Sequence, residues 1–209
     1  MPLLPMRQVH LDYHTSGAID DVAADWDPAS FVDTLRRAHV SSITCFARCH
    51  HGYVYYSPTL FKRHPALSFD LLGQQIQTCH RAGIRAPIYV TVGWDELSAH
   101  SHPEWLEVTP EGIRGQHSPL EARWKKLCLN TDYLDYVWEQ TVEVMDLYGD
   151  EVDGFFFDII HQGECVCPRC LDGMVAAGLD ASNSAHRRRY ALRVLDAYRR
   201  RFFDGAVPA

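Results

Sequence analysis

The chain has 209 residues, which is enough for one domain with a substantial hydrophobic core. With a net charge of −7 and no segment of the apolar length of a bilayer span, we expect neither a nucleic-acid nor a membrane partner. Seven cysteines, an odd number, and a start without the pattern of a signal peptide lead us to expect a soluble, cytoplasmic protein.

The first half of the chain alternates predicted strands with predicted helices. Polar and apolar residues alternate over 8–14, which predicts a short strand. Asp27 is a suitable N-cap and Pro28 a suitable first residue for a helix over 28–38. The next predicted elements are an apolar strand, a helix with apolar residues at helical spacing, and a strand of the kind buried in parallel sheets, over 41–49, 68–82 and 84–92.

The second half begins with a polar connection over 93–130, whose length and tryptophans favour a functional role. An amphipathic helix over 131–148, an apolar strand over 152–158 and a last helix over 184–203 follow. Four strand-then-helix units in succession predict a parallel sheet with helical crossovers in a single domain over 1–209.

Four units are half of a closed (β/α)8 barrel, which typically takes about 250 residues. We therefore expect an α/β fold of the TIM-barrel type with only about the first four βα units in this chain. Two ways of completing it are open: a missing C-terminal half of the barrel, or a homo-oligomer, because exposed sheet edges promote association.

Several polar residues come where predicted strands end. Asp158 ends the fourth strand, the place where barrel enzymes position catalytic groups. His50 and His51 come at the end of the second strand, and Trp94 follows the third. In a sugar site, such histidines would hydrogen-bond hydroxyl groups and the tryptophan would stack on a pyranose ring.

The first strand offers a competing interpretation. His10, Asp12 and His14 recur at every second residue and would share one face of a strand. Alternating His and Asp on a barrel strand can bind a catalytic metal, as in amidohydrolase-like enzymes. A metal-dependent hydrolase is therefore the alternative to a role for His10 and Asp12 in sugar binding.

The cysteines give the sharpest chemical signal. Cys165, Cys167 and Cys170 lie in one short loop, and Cys128 is the best fourth ligand, just before the helix that leads into the fourth strand. Four thiolates suit a closed, tetrahedral structural zinc site. We expect Zn²⁺ here and no organic cofactor.

Four segments carry a resemblance to a known family: RQVHLDYHTS, ITCFARCHHGYVYY, GIRAPIYVTVGWDE and VDGFFFDIIHQGECVCPRC. They resemble the N-terminal half of the hypothetical glycosyl hydrolase six family, which is related to the α-L-fucosidase barrels, over most of positions 7–170. The run from Cys49 to Tyr53 resembles the fucosidase motif Lys-His-His-Asp-Gly-Phe, without its Lys and its Asp. The resemblance implies a (β/α)8 barrel and a retaining mechanism, with Asp158 at the nucleophile position.

The cysteine cluster is also similar to that of zinc-containing β-galactosidases, in which one upstream Cys joins a Cys-x-Cys-x-x-Cys loop. The fourth strand of those enzymes ends in Asn-Glu, where this chain has Ile159 and Ile160. The sequence thus predicts a glycoside hydrolase that acts on O-glycosidic bonds of fucosidase- or galactosidase-like substrates. Besides the metal hydrolase, a non-catalytic, carbohydrate-binding half-barrel is the other alternative. We assign no residue the role of acid/base. Asp95, Glu96 and Glu164 are the nearby carboxylic acids that could take this role.

Overall fold

The computed structural model describes residues 6–115 and 124–204. These residues form four strands and six α-helices. In chain order they are β1 (Gln8–His10), α1 (Pro28–Arg37), β2 (Ser42–Arg48), α2 (Leu71–Arg81), β3 (Ile88–Thr91), α3 (Glu96–Ser101), α4 (Tyr133–Tyr148), β4 (Phe155–Asp158), α5 (Pro168–Ala176) and α6 (Ser184–Arg199).

The four strands form one parallel sheet in the order β1-β2-β3-β4. Each strand therefore pairs with the next one along the chain, as successive strands of a barrel do. The register aligns Thr91 of β3 with Asp158 of β4, so the carboxyl ends of these strands lie side by side. The predicted α/β fold, with the first four units of a TIM-barrel type, is confirmed.

The predicted elements are present, but several ends differ. Helix α1 begins as predicted, because the Asp27 carboxylate accepts a hydrogen bond from the Ser30 backbone N–H at 2.6 Å. Helix α2 begins at Leu71 rather than three residues earlier, because Asp70 is its N-cap. Strand β3 begins only at Ile88, directly after a proline that has no N–H to donate to a neighbouring strand.

Strand β1 is the largest of these differences, since it ends at His10 and not at residue 14. The chain leaves the sheet here because Tyr13 stacks its ring on Phe46, with the ring centroids 4.3 Å apart. Asp12 and His14 consequently lie in a loop and do not share a strand face with His10. The prediction of one common face for the three residues is wrong.

The described chain divides into two compact units. The first contains the residues up to Thr91 together with Thr141–Asp158, and its core includes Phe46, Tyr55, Leu71 and Tyr89. In this unit Glu143 accepts hydrogen bonds from the Tyr56 hydroxyl and the Thr59 backbone N–H, both at 2.7 Å. This buried carboxylate therefore fixes the segment that follows β2.

The second unit contains Val92–Gln140 and the residues from Ile159 onward, with a core built around four cysteines, Met174 and Leu179. The connection predicted over 93–130 contains helix α3 and a 3-10 turn over Pro103–Trp105. Helix α5 was not predicted from the sequence, and α6 ends at Arg199 in a π-helical turn. Among the described helices none combines the length and the apolar character that crossing a membrane requires.

Candidate active site and metal centre

The first unit gathers polar side chains at the carboxyl ends of its four strands. His10 is the last residue of β1, Thr91 of β3 and Asp158 of β4, while His50 follows the end of β2 by two residues. Parallel strands present their carboxyl ends at one edge of the sheet, which is where this fold places catalytic groups.

Aromatic rings from the strands support this edge. The His10 ring has its centroid 5.5 Å from the ring centroid of Phe46 on β2 and 5.4 Å from that of Tyr89 on β3. Phe156 of β4 lies 5.5 Å from His10 in the same way. The polar groups therefore lie next to a layer of packed rings, and each of the four strands contributes one ring to this layer.

Asp158 is oriented by a neighbour on the adjacent strand. The Tyr89 hydroxyl donates a hydrogen bond to Oδ2 of Asp158 at 2.7 Å. Burial and the nearby carboxylate raise the pKa of Tyr89 above its ordinary value, so the hydroxyl keeps its proton and remains a donor. One oxygen of Asp158 thus has a fixed partner.

The backbone is strained directly after Asp158. Ile159 has a φ of +55°, a conformation that β-branched residues seldom adopt. Its carbonyl oxygen would clash with a Cβ atom on Gly93, so this close approach requires glycine at position 93. The chain therefore turns sharply at the end of β4, where the candidate catalytic residue lies.

Two histidines form a stacked pair at the same edge. The rings of His14 and His50 lie nearly parallel, with centroids 3.6 Å apart. The His50 backbone N–H donates to Nδ1 of His14 at 3.1 Å, so the neutral His14 carries its proton on Nε2. That Nε2 lies 2.8 Å from the carboxylate of Asp12 and donates to it. His50 shares a hydrogen bond of 2.8 Å between its Nδ1 and the Thr91 hydroxyl.

Both imidazoles are neutral at neutral pH. Burial lowers the pKa of His50 to about 4, and the adjacent His14 adds to the effect. Burial also lowers the pKa of His14, against the attraction of Asp12. Neutral imidazoles can both donate and accept hydrogen bonds, which suits contact with hydroxyl groups.

The residues predicted on the first strand do come together, although by way of a loop. Nε2 of His10 lies 3.9 Å from the Asp12 carboxylate, whose side chain is 63% exposed. Both nitrogens of His14 are already engaged. Among the described residues, His10, Asp12 and His14 do not form a group of ligand atoms close enough for one ion. The arrangement gives the metal-hydrolase hypothesis no support.

The remaining predicted residues have different surroundings. His51 is half-buried and close enough to His14 to lower its pKa. Trp94 belongs to the second unit, where it stacks on Trp124 with the centroids 6.4 Å apart. The three carboxylic acids considered for the acid/base role take part in structural contacts. Asp95 caps α3 through Ser98, Glu96 forms an ion pair with Lys125 at 2.6 Å, and Glu164 forms one with Arg187 at 3.0 Å.

The second unit brings the four predicted cysteines together. Their sulfur atoms all lie within 4.8 Å of one another and all four residues are buried. Sγ of Cys128 is 3.5 Å from that of Cys170 and 3.7 Å from that of Cys167. Tetrahedral zinc with Zn–S bonds of about 2.3 Å would separate its sulfurs by about 3.8 Å. The cluster can therefore hold a metal ion.

Hydrogen-bond donors surround these sulfurs. The backbone N–H of Val108 donates to Sγ of Cys165 at 3.3 Å, and the Gln162 amide donates to Sγ of Cys128 at 3.4 Å. The thiol of Cys128, together with the other cysteines, holds the pKa of Cys167 well below its ordinary value. Such donors stabilise thiolates, which are the form that binds metal.

Sequence reasoning missed two residues of the first site. Tyr89 and Thr91 lie within an apolar strand, and their contacts with Asp158 and His50 depend on which residues face each other across the sheet. Their position in the sequence could have identified them as site residues, because both lie within three residues of the carboxyl end of β3.

The fold and the site define a half-barrel of the TIM-barrel type with an oriented carboxylate at a strand end and a four-cysteine cluster. Comparison with known proteins agrees with this class: the hypothetical glycosyl hydrolase 6 family matches residues 27–159, more than half of the chain. The chain belongs to this family. No curated protein sequence matches it.

Two solved structures are similar to the chain. Alpha-L-fucosidase isoenzyme 2 from Paenibacillus thiaminolyticus is 39% identical, with a TM-score of 0.89, over 96% of this chain and 30% of that one. The chain thus spans about a third of the length of that fucosidase. A hypothetical protein from Ruminiclostridium thermocellum ATCC 27405, 15% identical with a TM-score of 0.62, shares the fold over 97% of this chain and 93% of its own.

Proposed function

We propose that the protein is a retaining glycoside hydrolase that cleaves O-glycosidic bonds of fucosidase- or galactosidase-like substrates, with Asp158 as its nucleophile. The observation that carries the proposal is the position of Asp158 at the end of β4, with Oδ2 held by the Tyr89 hydroxyl at 2.7 Å. Membership of a glycosyl hydrolase family and the 39% identity to a fucosidase support it.

In the proposed reaction the Asp158 carboxylate attacks the anomeric carbon as the bond to the leaving oxygen breaks. A covalent glycosyl ester forms, and water then hydrolyses it with retention of configuration. An acid/base protonates the leaving oxygen and later deprotonates the water, from a carboxyl group about 5–5.5 Å away. Tyr89 orients the nucleophile by fixing one of its oxygens.

Neutral imidazoles beside the nucleophile would bind the sugar. We assign His10, Asp12, His50 and His51 to contacts with its hydroxyl groups, because His50 stacks on His14, His14 is bonded to Asp12, and Asp12 lies 3.9 Å from His10. A protonated histidine would instead pair with Asp158 and weaken it as a nucleophile. Stacking of Trp94 on the sugar stays a prediction, as does a single barrel domain over 1–209.

We also propose that Cys128, Cys165, Cys167 and Cys170 hold a structural zinc ion. The support is the set of four buried sulfurs and separations of 3.5 and 3.7 Å, close to those of a tetrahedral thiolate site. Four protein ligands leave no position for a substrate. The ion would fix the segment after β4 and take no part in the reaction.

The test uses 2,4-dinitrophenyl glycosides, whose leaving group departs without protonation, so that it does not depend on the unassigned acid/base. Wild-type protein, Asp158→Gly and the exposed control Asp20→Gly are assayed against fucosides and galactosides. We expect Asp158→Gly to lose at least about a thousandfold in rate and the control to keep its rate. Added azide should restore turnover only in Asp158→Gly and give a glycosyl azide of inverted configuration.

Each other outcome has a defined meaning. Turnover by Asp158→Gly without azide at the wild-type rate would remove Asp158 from the mechanism. A wild-type protein that cleaves none of these glycosides would refute hydrolysis by this chain. In that case a titration with fucose and galactose, followed through the imidazole NMR signals of His50, would test the carbohydrate-binding alternative.

A further inference from the structure

The hydroxyl groups of Tyr89 and Thr91 lie between Asp158 and His50. Both residues belong to β3 and are two positions apart, so their side chains point to one face of the sheet. Asp158 is the register partner of Thr91 on β4, and the Tyr89 hydroxyl donates to its Oδ2 at 2.7 Å. The Tyr89 hydroxyl therefore lies at the level of Thr91. All four residues belong to the first compact unit.

Hydrogen bonds connect these four side chains in one row. Nδ1 of His50 lies 2.8 Å from the Thr91 hydroxyl. Burial raises the pKa of Tyr89, and a hydrogen bond from the Thr91 side chain acts in the opposite direction. The row therefore runs from His50 through Thr91 and Tyr89 to Asp158. Tyr89 and Thr91 have no exposed surface and His50 is 5% exposed, so their polar atoms need partners within the protein.

The number of protons in the row fixes the direction of each hydrogen bond. A hydroxyl group has one proton to donate, and Tyr89 gives its proton to Asp158. The proton between Thr91 and Tyr89 must then come from Thr91. Because Thr91 has no second proton, the one between Thr91 and His50 must come from Nδ1 of His50. If Thr91 donated to Nδ1 instead, the lone pairs of the Thr91 and Tyr89 oxygens would face each other without a proton between them.

We propose that Thr91 is a positioning residue that holds His50 in the tautomer with its proton on Nδ1. The hydrogen bond at one ring nitrogen of a histidine determines the state of the other nitrogen. Nε2 of His50 consequently has a lone pair and can accept a hydrogen bond but not donate one. His14 has the opposite tautomer, because its Nδ1 accepts from the His50 backbone N–H at 3.1 Å. The two stacked imidazoles therefore differ in the group that each presents.

The consequence for the substrate rests on the proposed function. A sugar hydroxyl that binds to Nε2 of His50 must donate its proton to this nitrogen. An ether oxygen or a fluorine at the same position of the sugar has no proton to give, and a site built for a hydroxyl group discriminates strongly against such analogues. Since the row ends at Asp158, the residue that orients the nucleophile, Tyr89, also sets the polarity of the sugar contact.

The test is long-range proton–nitrogen NMR of the full chain at pH 7.5, which shows which ring nitrogens carry a proton. The signals of His50 and His14 are assigned by their loss in His50→Gln and His14→Gln. In the wild type we expect Nε2 to be unprotonated in His50 and protonated in His14. The His50 proton should move to Nε2 in Thr91→Val, because a buried Nδ1–H would lack an acceptor, and stay on Nδ1 in Thr91→Ser.

A change at Tyr89 distinguishes the row from a local packing effect at Thr91. Tyr89→Phe keeps the contact between His50 and Thr91 but removes the acceptor of the Thr91 proton. Thr91 should then donate to Nδ1 of His50, so that the ring proton moves to Nε2. Thr34→Val, which removes an exposed hydroxyl on α1, is the control that should leave the His50 signals unchanged. Circular dichroism checks the fold of each variant.

Activity and tautomer together separate the role of Thr91 from the proposed function. On 2,4-dinitrophenyl glycosides we expect Thr91→Val to lose about tenfold in kcat/KM and Thr91→Ser to stay within about threefold of the wild type. A wild type that cleaves no glycoside but has the His50 proton on Nδ1 would refute the proposed function and support the role of Thr91. A wild-type His50 with its proton on Nε2 would overturn that role, whatever the activity. A tautomer that neither Thr91→Val nor Tyr89→Phe changes would overturn it as well.

Discussion

We expect the protein to lose stability at mildly acidic pH, and we expect replacement of His50 with glutamine to remove much of this loss. The His50 side chain is buried, stacked on His14 at 3.6 Å and hydrogen-bonded to Thr91 at 2.8 Å. Burial lowers its pKa to about 4, whereas a histidine in the unfolded chain titrates near its model-compound value of 6.5. Protonation therefore favours the unfolded chain.

The sign and size follow from this difference. Between pH 6.5 and 4 the unfolded chain binds a proton at position 50 and the folded chain does not, so the free energy of unfolding falls as the pH falls. A tenfold difference in proton affinity corresponds to about 1.4 kcal/mol, which gives about 3 kcal/mol for the whole interval. The effect is absent above about pH 7 and complete below about pH 4.

Urea unfolding followed by tryptophan fluorescence at several pH values between 7.5 and 4 measures the effect. The His50→Gln variant is less stable at pH 7, since it loses the ring stack, so the comparison is between slopes and not between absolute stabilities. We expect the stability of the wild type to fall by about 2–3 kcal/mol more than that of the variant. His100→Gln, an exposed change on α3, should follow the wild type. Parallel curves for wild type and His50→Gln would refute a neutral, buried His50.

Three further predictions concern other contacts. Cys128→Ser should lower bound zinc from one per chain to nearly none by elemental analysis, while Cys49→Ser, at a buried thiol outside the cluster, keeps it. Glu143→Ala should cost about 2–4 kcal/mol in urea unfolding, because buried donors lose their acceptor, and the exposed Glu139→Ala about 0.5 kcal/mol at most. Tyr89→Phe should lower kcat on aryl glycosides about ten- to a hundredfold, because the nucleophile loses the hydrogen-bond donor that orients it.

The strand ends were predictable from the sequence because apolar runs stop there. Asp158 and His50 follow such runs directly, and a parallel sheet brings its strand ends to one edge whatever the details of packing. The cysteines were predictable for a different reason. Three of them lie within six residues, and Cys128 supplies the fourth thiol of a possible four-cysteine metal site.

What the sequence did not disclose depends on contacts across the sheet. Tyr89 contacts Asp158 because β3 and β4 pair with Tyr89 opposite Phe156. The sequence of neither strand indicates this register. The alternation of His10, Asp12 and His14 indicated a strand, yet the stacking of Tyr13 on Phe46 takes the chain out of the sheet. Burial of the Tyr13 ring therefore determined the path of the chain more strongly than the local alternation of polar and apolar residues did.

The acid sensitivity and the proposed chemistry have one physical cause. A histidine that is charged at neutral pH beside Asp158 would pair with its carboxylate and reduce its reactivity toward an anomeric carbon. Burying His50 and His14 against each other keeps both imidazoles neutral, and their nitrogens remain available for hydrogen bonds to hydroxyl groups. The same burial makes protonation unfavourable in the folded state, which is why we expect stability to be lost between pH 6.5 and 4. If the free energy of unfolding of His50→Gln depends less on pH than that of the wild type, the result would support uncharged histidines around Asp158. An anionic nucleophile at this position requires such surroundings.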